Sequence, residues 1–445
     1  MYVDYWDLTL RFFSMVDANV QTVALGSVLL GCCAGVLSTF VYLQKRSLIG
    51  DALAHSALPG VGIAFLIVGS KDLVALLVGA AIAAWLGALS INAIVQHTKL
   101  KLDSALGIVL SVFFGAGIVI LTHIQKSGSG AQSGLDTFLF GQAAAISRDD
   151  VIILAWITAI LLALVILGFN RFMLLSFDRG FAQGIGSRVG WLQFLMTTMV
   201  VLAVTVGLQA VGVVLMAAML ITPAAAARQW TDRIGLMIFL AAVFGMVSGL
   251  LGAYVSFLAP RLPTGPWIIV VISIIFAISI LFAPRRGVVS RWRRHRQSRR
   301  KVAREHVLKA LYKAGSQARD WSLPKTTTDI SRMQAFAPGE LTKALGALRR
   351  QDKIVKQHDG FLLTAEGLNE GARVLRRHRL WEVYLTEIMN LASDHVHRDA
   401  EEIEHVLTPE MEAKLEKILG RPAVDPHHQE IPWPENGVQT EGAGR

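Results

Sequence analysis

The sequence has almost no cysteine: two in 445 residues, Cys32 and Cys33, adjacent inside an apolar run. That excludes a disulfide framework and a thiolate metal site. Charge is scarce too, at 17% of residues, where an average soluble domain has about 25%. A purely soluble enzyme is excluded by the long apolar runs that take its place. No G-x-x-x-x-G-K-S/T motif occurs, nor any Gly-Lys dipeptide. The chain therefore binds no nucleotide through a P-loop of its own, is not expected to be an enzyme, and draws energy from a partner or an ion gradient. The opening MYVDYWDLTLRFFSMVDANV is mildly acidic and mixed, unlike a cleaved signal peptide. Acid is also absent from residues 285–304, where ten Lys/Arg supply the whole formal excess of +10. The chain thus reads as two regions joined by a basic juxtamembrane belt.

What is present is apolar and periodic in length. A helix crossing about 30 Å of hydrocarbon needs roughly 20 mostly apolar residues. Nine such spans are predicted, near 20–43, 51–69, 73–96, 103–124, 150–169, 191–207, 210–228, 234–258 and 266–283, with a short external turn at Gly207 and Gln209. Alternate loops carry Lys45, Arg46, Lys99, Lys101, Arg171, Arg179, Arg188, Arg228 and Arg233, against Lys71, Lys126, Arg148 and Arg261 on the other side. Basic residues stay cytoplasmic, so the N-terminus is expected outside and the region after the belt inside.

Charges within spans are costly and therefore informative. In GDALAHSALPGV (50–61), Asp51 and His55 are four apart, a carboxylate and an imidazole on one helix face. Together they suit Mn²⁺, Fe²⁺ or Zn²⁺; the alternative is a capping Asp with a His bonded to a neighbouring carbonyl. His97 and His123 sit near span ends, Met216 and Met219 read as packing residues, and the Gly/Ser-rich stretch 125–142 as a short re-entrant element.

Five ordered motifs then carry a resemblance. RSLIGDALAHSALPGVGIAFLI (46–67), DTFLFGQ (136–142), FDRGFAQGIG (177–186), LQAVGVVLMAAMLITPAAAARQWTDR (208–233) and PTGPWIIVV (263–271) together resemble the permease subunits of ABC importers for manganese, zinc and iron over residues 15–286. The resemblance implies that Asp51 and His55 lie on the ion path. It implies a short coupling helix within Phe177–Arg188, including Asp178, Arg179 and Gly186, that meets a separate ATPase subunit; the same charges also fit a plain solvated loop. It further implies a second permease copy or sister subunit and an extracytoplasmic metal-binding protein.

Past the belt the composition becomes that of a water-soluble domain. VAREHVLKALYKAG (302–315), TTTDISRM (326–333) and GELTKALGALRRQ (339–351) read as helices, and DKIVKQHDGFLLTAEG (352–367) as a hairpin about His358–Gly360. This is the order of a winged helix-turn-helix, a fold that binds DNA or protein. Thr342, Lys343, Arg349 and Arg350 are its DNA-contact candidates. A long helix follows to about Asn390, then short ones at 393–407 and 409–419. His378 and Glu382 are one turn apart on the long helix; His397, Glu401, Glu404 and His405 fall on the next. Packed together they would offer a thiolate-free donor set for Mn²⁺ or Fe²⁺; alternatively the helix is acidic and solvated, its histidines incidental.

RRHRLWEVYLTEI, HVHRDAEEIEHVLTPEMEAKLEKIL and DPHHQEIP (425–432) are similar to metal-dependent repressors of the diphtheria-toxin-repressor and manganese-transport-regulator family over residues 302–432. That implies core ligands at His378, Glu401, Glu404 and His405 and an ancillary site at Glu382 and His397, with Glu401 favouring manganese. Two positions depart from that pattern. His306 and Lys309 stand where the family's first helix supplies a ligand, and His428 stands where Gly is common.

The expected fold is an all-α polytopic membrane protein with about eight or nine transmembrane helices, followed by a cytoplasmic winged helix-turn-helix and a helical dimerisation and metal-binding domain. The expected divisions are 1–284, 285–301, 302–367, 368–432 and a disordered tail at 433–445. The expected function is inward passage of a divalent transition metal across a bacterial plasma membrane. The cytoplasmic domain is either a metal gauge that lowers transport or a membrane-tethered DNA-binding regulator; the belt fits phosphates and anionic membrane lipid alike.

Overall fold

The computed structural model describes residues 5–69, 72–126, 146–259, 262–391, 403, 405 and 407–433. It divides into two units, Met1–Arg291 and Trp292–Arg445, each considered by itself.

The first unit is helical throughout. Its elements are α1 (Tyr5–Phe13), α2 (Ala18–Leu43), α3 (Ile49–Val68), α4 (Leu73–His97), α5 (Leu102–Lys126), α6 (Arg148–Phe177), α7 (Arg179–Gly184), α8 (Val189–Val211), α9 (Val213–Met219), α10 (Thr222–Trp230), α11 (Ile234–Leu258) and α12 (Thr264–Phe282). Local chemistry sets the starts. Asp72 caps α4 by accepting from the amides of Val74 and Ala75, and Ser147 with Asp150 forms a capping box on α6. Small residues set the packing. A Cβ at Gly31 of α2 would collide with the Gly245 carbonyl of α11, so these antiparallel helices meet backbone to backbone, as small residues allow in a membrane. The helix α3 is likewise walled closely by α4 and α5, with Gly60 against Gly79 and Gly117 against Leu58 and Pro59.

Among the described residues eight helices are long and apolar enough to cross a membrane: α2, α3, α4, α5, α6, α8, α11 and α12. The predicted break at Gly207–Gln209 and the predicted unbroken span over 210–228 need correction. The break falls at Gly212, whose φ of 86° lies in the left-handed region that glycine adopts at no steric cost. The chain then splits into α9 and α10, with Pro223 at the start of the latter. At about 1.5 Å per residue neither reaches half of a 30 Å core. The pair packs within the bundle: Met216 meets Gly207 of α8, Leu220 meets Gly50 of α3, and the Trp230 indole donates to Ser279 near the end of α12 at 2.9 Å. Asp232 just beyond accepts from Arg286 at 2.5 Å. Apolar periodicity reads a broken return and a straight span alike.

Met216 and Met219 are fully buried, as packing residues should be. His97 and His123 are exposed near the ends of α4 and α5. The stretch predicted as re-entrant lies, from residue 127 on, outside the described residues, as does the motif at 136–142.

The second unit has α13 (Val288–Ala318), α14 (Thr327–Met333), α15 (Glu340–Arg350), the antiparallel strands β1 (Ile354–Gln357) and β2 (Gly360–Leu363), α16 (Ala365–Val383) continued by a π-turn over Tyr384–Ile388, and α17 (Pro409–Leu419). The boundary between units falls inside α13. The hairpin pairs Ile354 with Leu363 and Gln357 with Gly360, leaving His358 in its two-residue turn at φ 50°. A bridge from Lys325 to Phe361 extends the sheet. Val307, Leu308, Leu311, Ile330, Leu345, Leu348 and Ile354 close one core beneath it. Helix, helix-turn-helix and wing appear in the order the sequence predicted.

A second layer is tied by charge. Glu412 of α17 accepts from Arg373 and Arg376 of α16, each at 2.9 Å. Burial alone would raise the Glu412 carboxyl, but those two guanidiniums hold it below the usual range. Asp425 accepts from the amides of His427 and Gln429 and faces Arg379 at 3.3 Å. His428 sits at φ 60°, a geometry that explains why glycine suits this position.

Candidate functional site

Helix α3 carries the first candidate site. Asp51 lies in its first turn and His55 one turn later, with His55 Nε2 3.3 Å from Asp51 Oδ1. From Asp51 to Gly62 every other residue of the helix is buried, so the pair forms the one opening along that stretch. Their side chains are 30% and 14% exposed. Phe114 of α5 stands edge-on to the imidazole at 4.8 Å and fixes its plane. No hydrogen-bond partner for His55 Nδ1 is present among the described residues. On α5, which brings Phe114 against the pair, Ile108, Val112, Phe114 and Ile118 are exposed. Oxygen and nitrogen from one helix make only part of a coordination shell, so such a pair grips a cation weakly.

The loop after α6 forms the second. Asp178 is exposed, and its Oδ1 accepts from the Phe181 amide at 2.9 Å and caps α7. Gly186, at φ 78°, turns the chain toward α8. Arg179 and Arg188 are exposed. So are Phe177, Phe181 and Ile185; Phe181 and Ile185 lie one turn apart along α7, whereas Phe177 closes α6 and is separated from them by the extended Asp178. Phe181 and Ile185 are not among the sequence-predicted contact residues; an i, i+4 apolar pair within a polar loop is the signal that points to them.

In the second unit three of the six predicted donors lie among the described residues. His378 Nε2 and Glu382 Oε1 meet at 3.2 Å on α16, with side chains 4% and 2% exposed. His405 faces α13: its Nδ1 is 2.6 Å from Glu305 Oε2 and its Nε2 2.8 Å from His306 Nε2. His397, Glu401 and Glu404 lie outside the described residues, and among those described no three donors gather as a metal cage. Glu305 also faces Arg377 at 3.4 Å and Lys301 at 3.8 Å. Burial pushes the Glu305 carboxyl up, yet the His405 hydrogen bond and these cations carry it below its ordinary value. Lys309, one turn beyond Glu305 on α13, is buried. A carboxylate holding Nδ1 of a histidine fixes the tautomer and aims Nε2, the arrangement found behind metal-ligating imidazoles. Of the two first-helix positions, His306 meets His405, and the thiolate-free donors present fit a borderline divalent cation.

On α15, Thr342, Lys343, Arg349 and Arg350 are exposed opposite buried Ala344, Leu345 and Leu348. The predicted contact residues share the solvent face of the winged helix.

Comparison with known proteins follows the same division. Residues 16–283 match the ABC 3 transport family, and residues 364–433 match the iron dependent repressor, metal binding and dimerisation domain. The manganese transport system membrane protein MntC of Bacillus subtilis (strain 168) is 44% identical over 91% of this chain and 93% of its own length. The zinc transport system membrane protein TroC of Treponema pallidum (strain Nichols) is also 44% identical, over 65% of this chain and 97% of its own. Among solved structures, PsaBC from Streptococcus pneumoniae in complex with Fab superposes with a TM-score of 0.56 at 29% identity, over 62% of this chain and 97% of the other.

Proposed function

Because the chain belongs to the ABC 3 transport family, we propose that it is the permease subunit of an ATP-driven importer of manganese, zinc or iron in a bacterial plasma membrane. The observation that carries this reading is the Asp51–His55 pair at the one opening of an otherwise buried helix stretch. A transport site must release what it binds, and two donors from one subunit leave the rest of the shell to water or to a facing copy. The exposed apolar residues of α5, the helix that meets the pair, support a second permease copy or sister subunit there, so that the ion descends between the two. An extracytoplasmic metal-binding protein delivers the cation. An ATPase subunit docks on Phe177–Arg188, with Asp178 and Gly186 shaping the contact and Arg179 and Arg188 at its rim. With α9 and α10 returning the chain, basic loops still alternate, which supports an outside N-terminus and a cytoplasmic second unit. The relatives' names, manganese for one and zinc for the other, support a divalent transition metal as cargo. Isotope uptake by metal-starved cells tests the role: single Asp51→Ala and His55→Ala variants should lose uptake while reaching the membrane in normal amount. Uptake at the full rate by either would reject it.

The second unit serves, in this reading, as a cytoplasmic metal gauge. His378, Glu382, His397, Glu401, Glu404 and His405, joined by His306, would hold Mn²⁺ or Fe²⁺, and the bound cation would supply charge that draws these donors together. Glu305 orients His405, and the π-turn at Tyr384–Ile388 follows the His378–Glu382 pair directly, a feature frequent at functional sites. Regulation requires different metal affinity in the two transport states. One observation favours a second reading, a membrane-tethered transcription regulator: the exposed Thr342, Lys343, Arg349 and Arg350 on one face of α15. Retardation of operator DNA by the full chain in nanodiscs, with and without Mn²⁺, separates them. Metal-dependent, salt-sensitive binding to one sequence would favour the regulator. The basic stretch Arg285–Arg304 lies against anionic lipid in the first reading and phosphate in the second.

A further inference from the structure

Beside the segment Phe177–Arg188 lies a cavity of about 260 Å³ whose walls include Gln44, Arg46, Phe177, Arg179 and Gln193. Two guanidiniums and two amides belong to its walls, and among the described residues no carboxylate lines it. The Oδ1 of the nearest acid in sequence, Asp178, accepts from the Phe181 amide. Arg46 comes from the loop between α2 and α3, five residues before Asp51, and is partly buried. Burial and the nearby Arg179 both push its guanidinium below its ordinary value. Two like charges around one cavity cost free energy that an incoming anion would remove.

Phe177 and Arg179 line the cavity and also begin the segment Phe177–Arg188, so a surface that docks on that segment covers part of the cavity. Covering the partly buried Arg46 beside a second guanidinium without a counter-charge would be unfavourable, which favours a docking surface that brings an anion with it. We propose that the cavity between Arg46 and Arg179 receives the carboxylate of an Asp or Glu side chain from the ATPase subunit. This rests on the reading that Phe177–Arg188 is the ATPase docking segment, and it adds the recognition chemistry. Guanidinium pairs a carboxylate through two parallel hydrogen bonds, and Gln44 and Gln193 have amide groups to orient it. The contact also joins the docking segment to the loop that leads into α3, so ATPase movement reaches the helix bearing Asp51 and His55 through Arg46.

The complex of the full chain with its own ATPase subunit, purified from native membranes into nanodiscs, tests this. Removing one partner of a buried charge pair weakens association by at least about tenfold, so Arg46→Gln should lower ATPase retention by that much and flatten its dependence on salt. Arg46→Lys keeps the charge and provides an amine, so a zero-length carbodiimide should join it to an Asp or Glu of the ATPase, located by mass spectrometry. Wild-type retention by Arg46→Gln together with no cross-link from Arg46→Lys would overturn the proposal. A loss of retention seen only in nanodiscs containing anionic phospholipid would also overturn it, assigning the cavity to a lipid headgroup. Phe181→Asp keeps the two readings apart. If it releases the ATPase while Arg46→Gln does not, the docking segment stands and the carboxylate pocket fails; if neither releases it, both fail.

Discussion

The two units place similar donors in opposite surroundings. In the membrane unit, Asp51 and His55 sit at an opening with few polar neighbours. In the second unit, His378 and Glu382 are buried, and His405 is held by Glu305, which is in turn held by Arg377 and Lys301. A site that passes an ion gains from being incomplete, because tight coordination would trap the cargo. A site that reports on an ion gains from a supporting shell, because fixed donors turn binding into a change of shape. On the proposed reading, carboxylate and imidazole would serve two purposes, separated by what stands behind them.

The contrast breaks most visibly at the ligands themselves. Asp51→Asn should cut isotope uptake by at least about tenfold, as loss of even a supporting group does at metal sites, while leaving metal bound per second unit unchanged by elemental analysis. His405→Ala should do the reverse: metal content of the second unit falls, and uptake in starved cells persists but no longer declines as cytoplasmic metal rises. Equal effects of both variants on both measurements would erase the distinction.

Next in size is the charge tie of the second unit. Glu412→Ala takes the nearest carboxylate from Arg376, which is nearly buried and keeps Glu416 at 3.6 Å, and from the half-exposed Arg373. Breaking a buried pair costs about 3–5 kcal/mol, and screening at Arg373 reduces this to roughly 2–3 kcal/mol. Thermal unfolding followed at the aromatics of α16 should show the loss, with uptake in starved cells little changed.

The same carboxyl sets a pH dependence. Its folded value lies below the ordinary 4.5, so the unfolded chain binds more protons as pH falls and stability rises with pH across that window. The contribution is complete above the unfolded value and disappears as pH drops through the folded one. Unfolding curves between pH 3 and 6 should slope accordingly, and Glu412→Gln should flatten them.

The smallest effect concerns His428. A non-glycine residue at φ 60° costs roughly 1–2 kcal/mol, part of which glycine returns through unfolded-state entropy. His428→Gly should therefore stabilise the second unit by about 0.5–1 kcal/mol in denaturant titration, with metal content unchanged.

Much of this architecture was legible in the residues. Span length and polarity located the long helices, since lipid allows few alternatives to a hydrogen-bonded helix. The i, i+4 spacing brought Asp51 to His55, and turn chemistry at His358–Gly360 located the wing. What was not legible depends on tertiary contact. The stretch 208–230 is mostly apolar, and it breaks at Gly212 and again before Pro223 instead of crossing straight. His306 was read as a departure from a pattern, yet it comes to face His405 because α13 brings Glu305 and His306 to the same imidazole. Arg46 and Arg179 are far apart in sequence, and nothing in either loop reveals that they line one cavity.

The most direct measurement is ATP-driven ⁵⁴Mn²⁺ uptake into proteoliposomes holding the complete complex, comparing wild type with the Asp51→Ala, His55→Ala double variant. The account predicts that the double variant keeps hydrolysing ATP while its lumen gains no isotope. Accumulation at the wild-type rate would contradict it.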